Sequence, residues 1–197
     1  MAGTNAALSF DGVNGWVRMP DHPALDGFNG DFTVEAWFRI GGPLPFNHYP
    51  VIVSKGRANS GPTADFGWGI QILPSGRLGT WIGGGGPQGL LQVVFSSNPL
   101  TPIVSTDAWH HVALRRSGSL VSVFLDGVLN NSYAFALTVS DSTYPLGIGA
   151  GPADQAPVEF FPGKIDEVRV WSIARSDSDL SYPANANVLI GSEFGLV

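Results

Sequence analysis

The sequence has no cysteine and only two lysines among its 197 residues. Without cysteine it can form neither disulfides nor zinc–thiolate sites, which fits the cytosol and also surface proteins that fold without bridges. The formal net charge is -6. Because no basic cluster is present to neutralise phosphates, this composition argues against a nucleic-acid partner.

Long apolar runs are also missing. No stretch approaches the about 18 uncharged apolar residues that a membrane-spanning helix needs, so we predict no membrane insertion. No basic segment followed by an apolar run marks a signal peptide, and we therefore expect the sequence to begin after any export signal.

The chain is rich in residues that form strands and turns. It is 44% hydrophobic, and its 26 glycines and 15 prolines are scattered along the whole length. Phe32 to Ile40 alternates most clearly, and about a dozen short segments of this kind recur at a spacing near ten residues. This pattern predicts an all-β, antiparallel sandwich or jelly roll with one short helix at 174–180. We predict one domain over 1–182, and a tail or cloning remnant at 183–197 that takes no part in the fold.

The last predicted strand, 163–171, carries an unusual carboxylate. Alternation places Asp166 on the same face as Val168 and Val170, which mark the core side. A carboxylate pointing inward needs a hydrogen-bond donor, a cation or a metal, because burying it unpaired costs several kcal/mol. Asp166 is therefore the first candidate for site chemistry.

Alternation also predicts a set of aromatic and polar side chains opposite the apolar faces. If their strands are neighbours, they form a floor suited to sugars, whose C–H faces stack on indole and whose hydroxyls pair with amide, carboxylate and guanidinium groups. The members are Trp37, Trp81, Trp109, His111, Glu35, Arg39, Gln71 and Arg115.

Six short motifs, each weak alone, lie at 7–12, 32–37, 109–113, 124–127, 146–149 and 163–171. Their order resembles laminin G-like domains of the concanavalin A-like lectin/glucanase superfamily. The resemblance covers roughly residues 5–182. It implies a jelly-roll sandwich of two curved sheets, found mostly in glycan- or protein-binding modules of larger extracellular proteins.

The same resemblance implies a structural calcium ion. In related folds, an aspartate at the start of the last strand holds calcium together with N-terminal groups. Asp166 occupies the matching place, and Asp11 is the nearest N-terminal carboxylate, so these two are the predicted ligands, completed by backbone carbonyls and water. The alternative is that Asp166 accepts backbone N–H bonds and Asp11 caps a turn.

The resemblance separates the tryptophans. Trp37 and Trp109 belong to the family motif whatever the ligand, so we expect loops to cover them. Trp81 lies outside the motif and precedes a glycine-rich loop, which favours an exposed ligand contact. The other predicted ligand contacts are Gln71, Arg39, and the loop residues His48 and Tyr49, for which a solvated loop is the alternative.

Catalytic patterns are lacking. The Glu-x-Asp-x-x-Glu spacing of the superfamily's hydrolases is absent, and no Ser/His/Asp order is evident. A lyase would need a base such as His111 beside Arg115 and Gln71. We therefore predict a noncatalytic module that binds a glycan or polysaccharide at the cell surface or outside the cell. The alternatives are a protein-binding module and a structural spacer, with an exposed Trp81 beside Gln71 favouring sugar.

Overall fold

The computed structural model describes residues 6–25, 30–44, 48–56, 67–84, 90–95, 104–136, 138–139, 142–151, 157–181 and 192–197. These residues form twelve strands, one short α-helix and one turn of 3-10 helix at Pro23–Leu25. The strands are β1 Leu8–Asp11, β2 Val17–Met19, β3 Phe32–Ile40, β4 Val51–Lys55, β5 Trp68–Ile72, β6 Leu78–Gly84, β7 Leu90–Phe95, β8 His110–Ser117, β9 Leu120–Leu125, β10 Val128–Ala134, β11 Leu146–Ile148 and β12 Pro162–Trp171, and the helix is α1 Asp177–Leu180.

The strands form two six-stranded antiparallel sheets. The first sheet has the order β1-β12-β3-β8-β9-β10, and the second has the order β2-β11-β4-β5-β6-β7. Each β-strand presents alternate residues to opposite faces, so each sheet has one face turned to the core and one outer face. The predicted all-β antiparallel sandwich is confirmed. No helix in the described part of the chain is long and apolar enough to cross a membrane.

The core lies between the sheets and follows the predicted alternation of β3. The first sheet contributes Phe32, Val34 and Phe38, all fully buried, and the second contributes Ile70 and Ile72, also fully buried. Burial of each such side chain stabilises the fold by about 1.5 to 3 kcal/mol relative to exposure. The opposite residues of β3 are thereby fixed on the outer face.

A bulge in β12 overturns the predicted orientation of Asp166. Ile165 pairs with Phe38 in the core, so the next residue, Asp166, lies on the outer face beside Trp37. The register then shifts before Arg169, and Glu167 adopts a left-handed φ of 49°. A bulge inserts one unpaired residue and reverses the alternation that follows. The prediction of an inward-facing Asp166 was therefore wrong.

The C-terminal residues contact the end of β12. The Ser172 N–H donates to the Gly195 carbonyl at 2.7 Å, and the Val197 N–H donates to the Val170 carbonyl at 2.8 Å. The expectation that 183–197 takes no part in the fold is therefore wrong for 192–197.

Helix α1 is shorter than predicted. Ser176 caps it, accepting a hydrogen bond from the Asp179 N–H, while the Asp179 carboxylate accepts one from the Ser176 N–H. This capping box starts the helix at Asp177 rather than at 174.

Candidate functional site

The outer face of the first sheet divides into two regions. Under segment 172–181 lies the covered region, centred on Glu35 of β3. Beyond Trp37, towards the other end of β3, lies the open region, formed by Ser9, Arg39, Trp109 and Lys164.

Glu35 is the centre of a buried charge network. Its side chain is fully buried, and its Oε1 accepts hydrogen bonds from Trp171 Nε1 at 2.8 Å and Arg175 Nη1 at 2.6 Å. Its Oε2 lies 3.1 Å from His111 Nε2, and Arg169 Nη1 lies 3.7 Å from Oε1. The carboxylate thus has the partners that a buried charge requires.

These contacts decide the charge state of Glu35. Burial opposes ionisation, but the hydrogen bond from His111, the charge of Arg175 and the hydrogen bond from Trp171 outweigh it, so the pKa of Glu35 is lowered. Glu35 is an ionised acceptor that holds cationic side chains, not a proton donor.

Segment 172–181 is fastened to this face at further points. Thr33 Oγ1 donates to the Ile173 carbonyl at 2.9 Å and accepts from the Arg175 N–H at 3.0 Å. Leu180 is fully buried in a small cluster with Ala113 and Phe124. The covered region is therefore a second, smaller core with a polar centre.

The predicted lyase residues are not assembled into an accessible site. His111 is fully buried beside Glu35, and Arg115 Nη1 donates to the Arg175 carbonyl and to Asp177. Gln71 lies on the other sheet. Arg115 is thus engaged in holding segment 172–181, and His111 is engaged with Glu35.

In the open region, two cations lie side by side. Lys164 and Arg39 are direct partners across β12 and β3, and Ser9 faces Lys164 from β1. Within the described residues Lys164 forms no ion pair, and Arg39 Nη2 lies 3.4 Å from Asp107 Oδ1, an exposed carboxylate. Like charges directly opposite in a sheet are destabilising unless another group binds between them.

Trp109 lies next to this pair. It directly precedes His110, which pairs with Phe38, so its backbone continues the register towards Arg39. Its side chain is 40% exposed. The expectation that loops cover Trp109 was wrong, whereas Trp37 is partly buried.

A cleft of about 380 Å³ adjoins the open region at the end of β1 and β12. Its lining is mixed, with Phe10, proline rings and glycine backbone between the charged groups Asp11 and Lys164. Asp11 Oδ1 accepts the N–H groups of Val13, Asn14 and Gly15 at 2.8, 3.0 and 3.1 Å. These three hydrogen bonds lower the pKa of Asp11, and the one from the Asn14 N–H contributes most. The lining residues are Ser9, Phe10, Asp11, Gly41, Gly42, Pro43, Pro162, Gly163 and Lys164.

The predicted calcium ligands do not meet. Asp11 pairs with Pro162, and Asp166 lies four residues further along β12, roughly 13 Å away along an extended strand. Asp11 caps a turn, and Asp166 Oδ1 accepts the Glu167 N–H at 2.9 Å. The described residues contain no group of three or more His, Cys, Asp or Glu suited to a metal. The shared site on Asp11 and Asp166 does not fit, while calcium binding itself stays a prediction.

Trp81 and Gln71 share the outer face of the second sheet, but neither is open. Trp81 pairs with Gly69, and a Cβ atom added to Gly69 would lie 2.1 Å from the indole, so only glycine fits beneath it. Trp81 is 2% exposed and Gln71 is 7% exposed. The prediction of Trp81 as an exposed contact was therefore wrong, although its predicted face was right.

His48 and Tyr49 lie beside Glu159, before β4. Glu159 Oε2 accepts the Tyr49 N–H at 2.5 Å and lies 3.6 Å from His48 Nδ1. Tyr49 is 39% exposed. Both are at the second sheet, so the structure does not bring them together with Arg39. Their role as ligand contacts stays a prediction.

A Ser–His–Asp arrangement escaped the sequence analysis. Ser105 Oγ lies 2.8 Å from His110 Nε2, and His110 Nδ1 lies 2.8 Å from Asp126 Oδ2. The three residues come from a loop, the start of β8 and the turn between β9 and β10. The Asp126-Gly127 turn marked a hairpin in the sequence, but nothing there indicated that its aspartate faces His110.

Solved structures with this fold include carbohydrate-binding domains. A candidate carbohydrate binding protein from Bacteroides ovatus is 22% identical with a TM-score of 0.70, covering 96% of this chain and 49% of that chain. The CBM40 of a Ruminococcus gnavus sialidase, bound to α2,3-sialyllactose, is 14% identical with a TM-score of 0.63, covering 90% and 97%. Domain 4 of an extracellular arabinanase from Geobacillus stearothermophilus, in complex with arabinotriose, is 20% identical with a TM-score of 0.57, covering 89% and 74%.

This chain spans about half the length of the Bacteroides ovatus protein. No curated protein sequence matches it. A family model does match, over residues 11–181, and its description is the concanavalin A-like lectin/glucanases superfamily. The match covers most of the first sheet and all of the second, and it agrees with the two-sheet sandwich. The chain therefore belongs to the laminin G-like family of the concanavalin A-like lectin and glucanase superfamily.

Proposed function

We propose that this chain is a glycan-binding module and that the open region is its binding surface. The observation that carries the proposal is Trp109, which is 40% exposed and comes one residue before β8, where the register of β8 with β3 leads towards Arg39 and its partner Lys164. An exposed indole offers an apolar plane to the C–H face of a sugar, and neighbouring charged groups pair with its hydroxyls.

The open region continues into the cleft, which supplies an acceptor. Asp11 is held ionised by backbone N–H groups and lies on the same side of the sheet as Ser9 and Lys164. Trp109 and Asp11 lie at the two sides of a group of four adjacent strands, β8, β3, β12 and β1. This group is roughly 14 Å wide at the usual strand spacing. A short oligosaccharide lying across the strands would reach both groups.

The comparisons support a carbohydrate ligand without naming it. Two structures of similar fold were solved with sialyllactose and arabinotriose. We infer that this module belongs to a larger protein that acts outside the cell or at its surface, as the family resemblance implies.

The cleft does not support glycosidic cleavage. Glycosidases use two carboxyl groups flanking the bond, one of them with a raised pKa. The cleft lining contains one carboxylate, Asp11, whose pKa is lowered. A carboxylate of that kind accepts hydrogen bonds from sugar hydroxyls but does not protonate a leaving group.

A glycan array probed with the intact chain and with Trp109→Ala tests this proposal, in buffer with calcium and in buffer with chelator. We expect Trp109→Ala to lose the signals of the parent chain and the quenching of tryptophan fluorescence by the same sugars. Phe194→Ala is the matched control, because Phe194 is 85% exposed but lies in the C-terminal segment, two residues before the bridge of Leu196 to Trp171. Array signals that survive Trp109→Ala would contradict binding at the open region.

A further inference from the structure

Ser105, His110 and Asp126 have the mutual geometry of a nucleophile, a base and an orienting carboxylate. Both links, Ser105 Oγ to His110 Nε2 and His110 Nδ1 to Asp126 Oδ2, measure 2.8 Å. Such a triad is recognised by geometry and roles and not by order in the sequence. None of the three residues belongs to the cleft lining.

The proton positions follow from the partners. An ionised carboxylate can only accept, so Asp126 fixes the proton of neutral His110 on Nδ1. In the neutral ring Nε2 accepts from the Ser105 hydroxyl, whereas in the protonated ring, which the Ser105 backbone carbonyl also favours, Nε2 donates to Ser105. The neutral ring is in the tautomer that a general base needs in order to take the proton of a serine.

The arrangement is held in place by its surroundings. Asp126 Oδ1 accepts the His111 N–H at 2.9 Å, which fixes the carboxylate while Oδ2 faces His110. The His110 side chain is 13% exposed, and its ring lies 5.7 Å from the Phe38 ring. Ser105 itself is exposed. The base is therefore oriented inside the fold, and the nucleophile remains open to a substrate.

A cation of the neighbouring strand contacts the loop that carries Ser105. Arg39 of β3 places its Nη2 atom 3.4 Å from Oδ1 of Asp107, two residues after Ser105.

From this geometry we propose that Ser105 is the nucleophile of a carboxylic ester hydrolase. Ser105 Oγ attacks the ester carbonyl and transfers its proton to His110 Nε2. The bond to the alcohol oxygen then breaks, and that oxygen takes the proton from His110, leaving Ser105 acylated. A water molecule, deprotonated by His110, then attacks the acyl group. The bond between the acyl carbon and Ser105 Oγ breaks, Oγ takes the proton back from His110, and the carboxylic acid is released.

The class of substrate rests on the proposed function. Trp109 immediately precedes His110 in the chain and is the exposed aromatic residue of the open region. A sugar held there would bring its own substituents towards Ser105, so the expected substrate is an O-acylated saccharide. The serine chemistry itself requires no sugar and can be tested without one.

The first experiment uses two probes that report on serine alone. The chain is treated with a fluorophosphonate, and the labelled residue is located by mass spectrometry. Hydrolysis of p-nitrophenyl acetate is then measured from pH 5 to pH 9. The variants are Ser105→Ala, Asp126→Asn and the control Ser132→Ala, an exposed serine of β10 with no histidine partner among the described residues.

We expect label on Ser105 and a fall in ester hydrolysis of about 10²-fold or more in Ser105→Ala, the range for general-base catalysis. Ser132→Ala should match the parent, and melting curves of all variants should show that they fold. The hydrogen bond that His110 donates to Asp126 raises the pKa of His110, so the rate should increase as the pH rises through that pKa. Asp126→Asn should shift the rising part of the pH–rate profile. Absence of label on Ser105, or unchanged hydrolysis in Ser105→Ala, would overturn the proposal.

The second experiment separates the sugar from the serine. Acetylated and deacetylated xylo-oligosaccharides are compared as ligands and substrates, with Trp109→Ala and Ser105→Ala as the variants. If Trp109→Ala hydrolyses p-nitrophenyl acetate normally but loses turnover of the acetylated sugar, both proposals are supported. If Ser105→Ala and the parent turn over the acetylated sugar equally, the ester-hydrolase proposal fails whatever the array shows.

Discussion

The covered and open regions lie on the same face of the same three strands, yet they hold their charges in opposite ways. In the covered region, one buried carboxylate, Glu35, is surrounded by His111, Arg169 and Arg175. In the open region, two cations, Arg39 and Lys164, lie side by side in contact with solvent. The first region satisfies its charges with buried partners, whereas in the second Arg39 contacts the exposed Asp107 and Lys164 forms no ion pair within the described residues.

The difference shows how one sheet can serve stability and binding at once. A buried charge needs fixed partners, and segment 172–181 supplies Arg175 and covers the network. An exposed pair of like charges needs no cover, because solvent screens it. The regions should therefore respond differently to substitution, and the variants below are ordered by expected effect.

Glu35→Gln should destabilise the fold most. Removing the carboxylate leaves Arg169 and Arg175 without their buried partner, and breaking a buried ion pair in this way costs about 3 to 5 kcal/mol. The free energy of unfolding, measured by urea denaturation, is the test. Glu167→Gln is the matched control, because the Glu167 side chain is 32% exposed and holds only Arg169; its loss should stay under about 1 kcal/mol.

Equal losses of unfolding free energy in the two glutamate variants would show that the covered region is not the stabilising one.

The pH dependence of unfolding gives a second test of Glu35. Since the pKa of Glu35 is lowered from 4.5, its contribution is present above the unfolded value and is lost as the pH falls through the folded value. Glu35→Gln should therefore weaken the acid dependence of unfolding below about pH 4.5.

Leu180→Ala should have the next largest effect. Leu180 is the fully buried residue through which α1 packs on Ala113 and Phe124. A buried Leu→Ala change costs about 2 kcal/mol or more. Amide hydrogen exchange should show faster exchange in 177–180 than in the centre of β3. Unchanged exchange would mean that the polar contacts of Arg175 hold the segment without Leu180.

The sequence predicted the sheet faces well where strands are regular. Along Phe32–Ile40 the alternation separates core from outer residues as the structure has them. It failed at Asp166, because the bulge at Glu167 has no signature in the alternation itself. One extra residue is enough to reverse a side chain.

Alternation predicts the face of a residue but not what lies over that face. Trp81 and Trp109 were both expected opposite the apolar faces, and their exposures of 2% and 40% are the reverse of the prediction. Whether an outer-face side chain is shielded from solvent depends on loops and on segments distant in sequence, such as 172–181 over Glu35. The Ser105–His110–Asp126 contact was missed for a related reason, since it joins three elements whose approach depends on the whole sandwich.

The His110–Asp126 pair, at the border of the open region, should give a smaller and pH-dependent effect. The hydrogen bond to Asp126 raises the pKa of His110 from 6.5, so its contribution is complete below pH 6.5 and is lost as the pH rises through the folded value. The pKa of Asp126 is lowered from 3.8, because the bonds from His110 and the His111 N–H outweigh burial. Its contribution is lost as the pH falls through the folded value.

The pair should therefore stabilise most between pH 3.8 and pH 6.5, by under about 1 kcal/mol since Asp126 is partly exposed. Urea titrations at pH 5 and pH 8 of the parent and of Asp126→Asn measure it. The difference between the two proteins should be larger at pH 5. A difference that does not change with pH would mean that Asp126 acts through the His111 N–H alone.

Lys164→Ala should have the smallest effect on stability, and it sharpens the comparison because the chain offers one other lysine. Lys55 is 1% exposed and its Nζ donates to Asp21 Oδ1 at 2.6 Å and to the Tyr144 carbonyl at 2.7 Å. Lys164 is exposed opposite Arg39, so its removal should change the free energy of unfolding by less than about 0.5 kcal/mol, or even raise it. Lys55→Ala should cost several times more, since it leaves buried acceptors without a donor. If Lys164→Ala proved as costly as Lys55→Ala, the open region would be part of the folded framework, and its cations would not be free to meet a ligand.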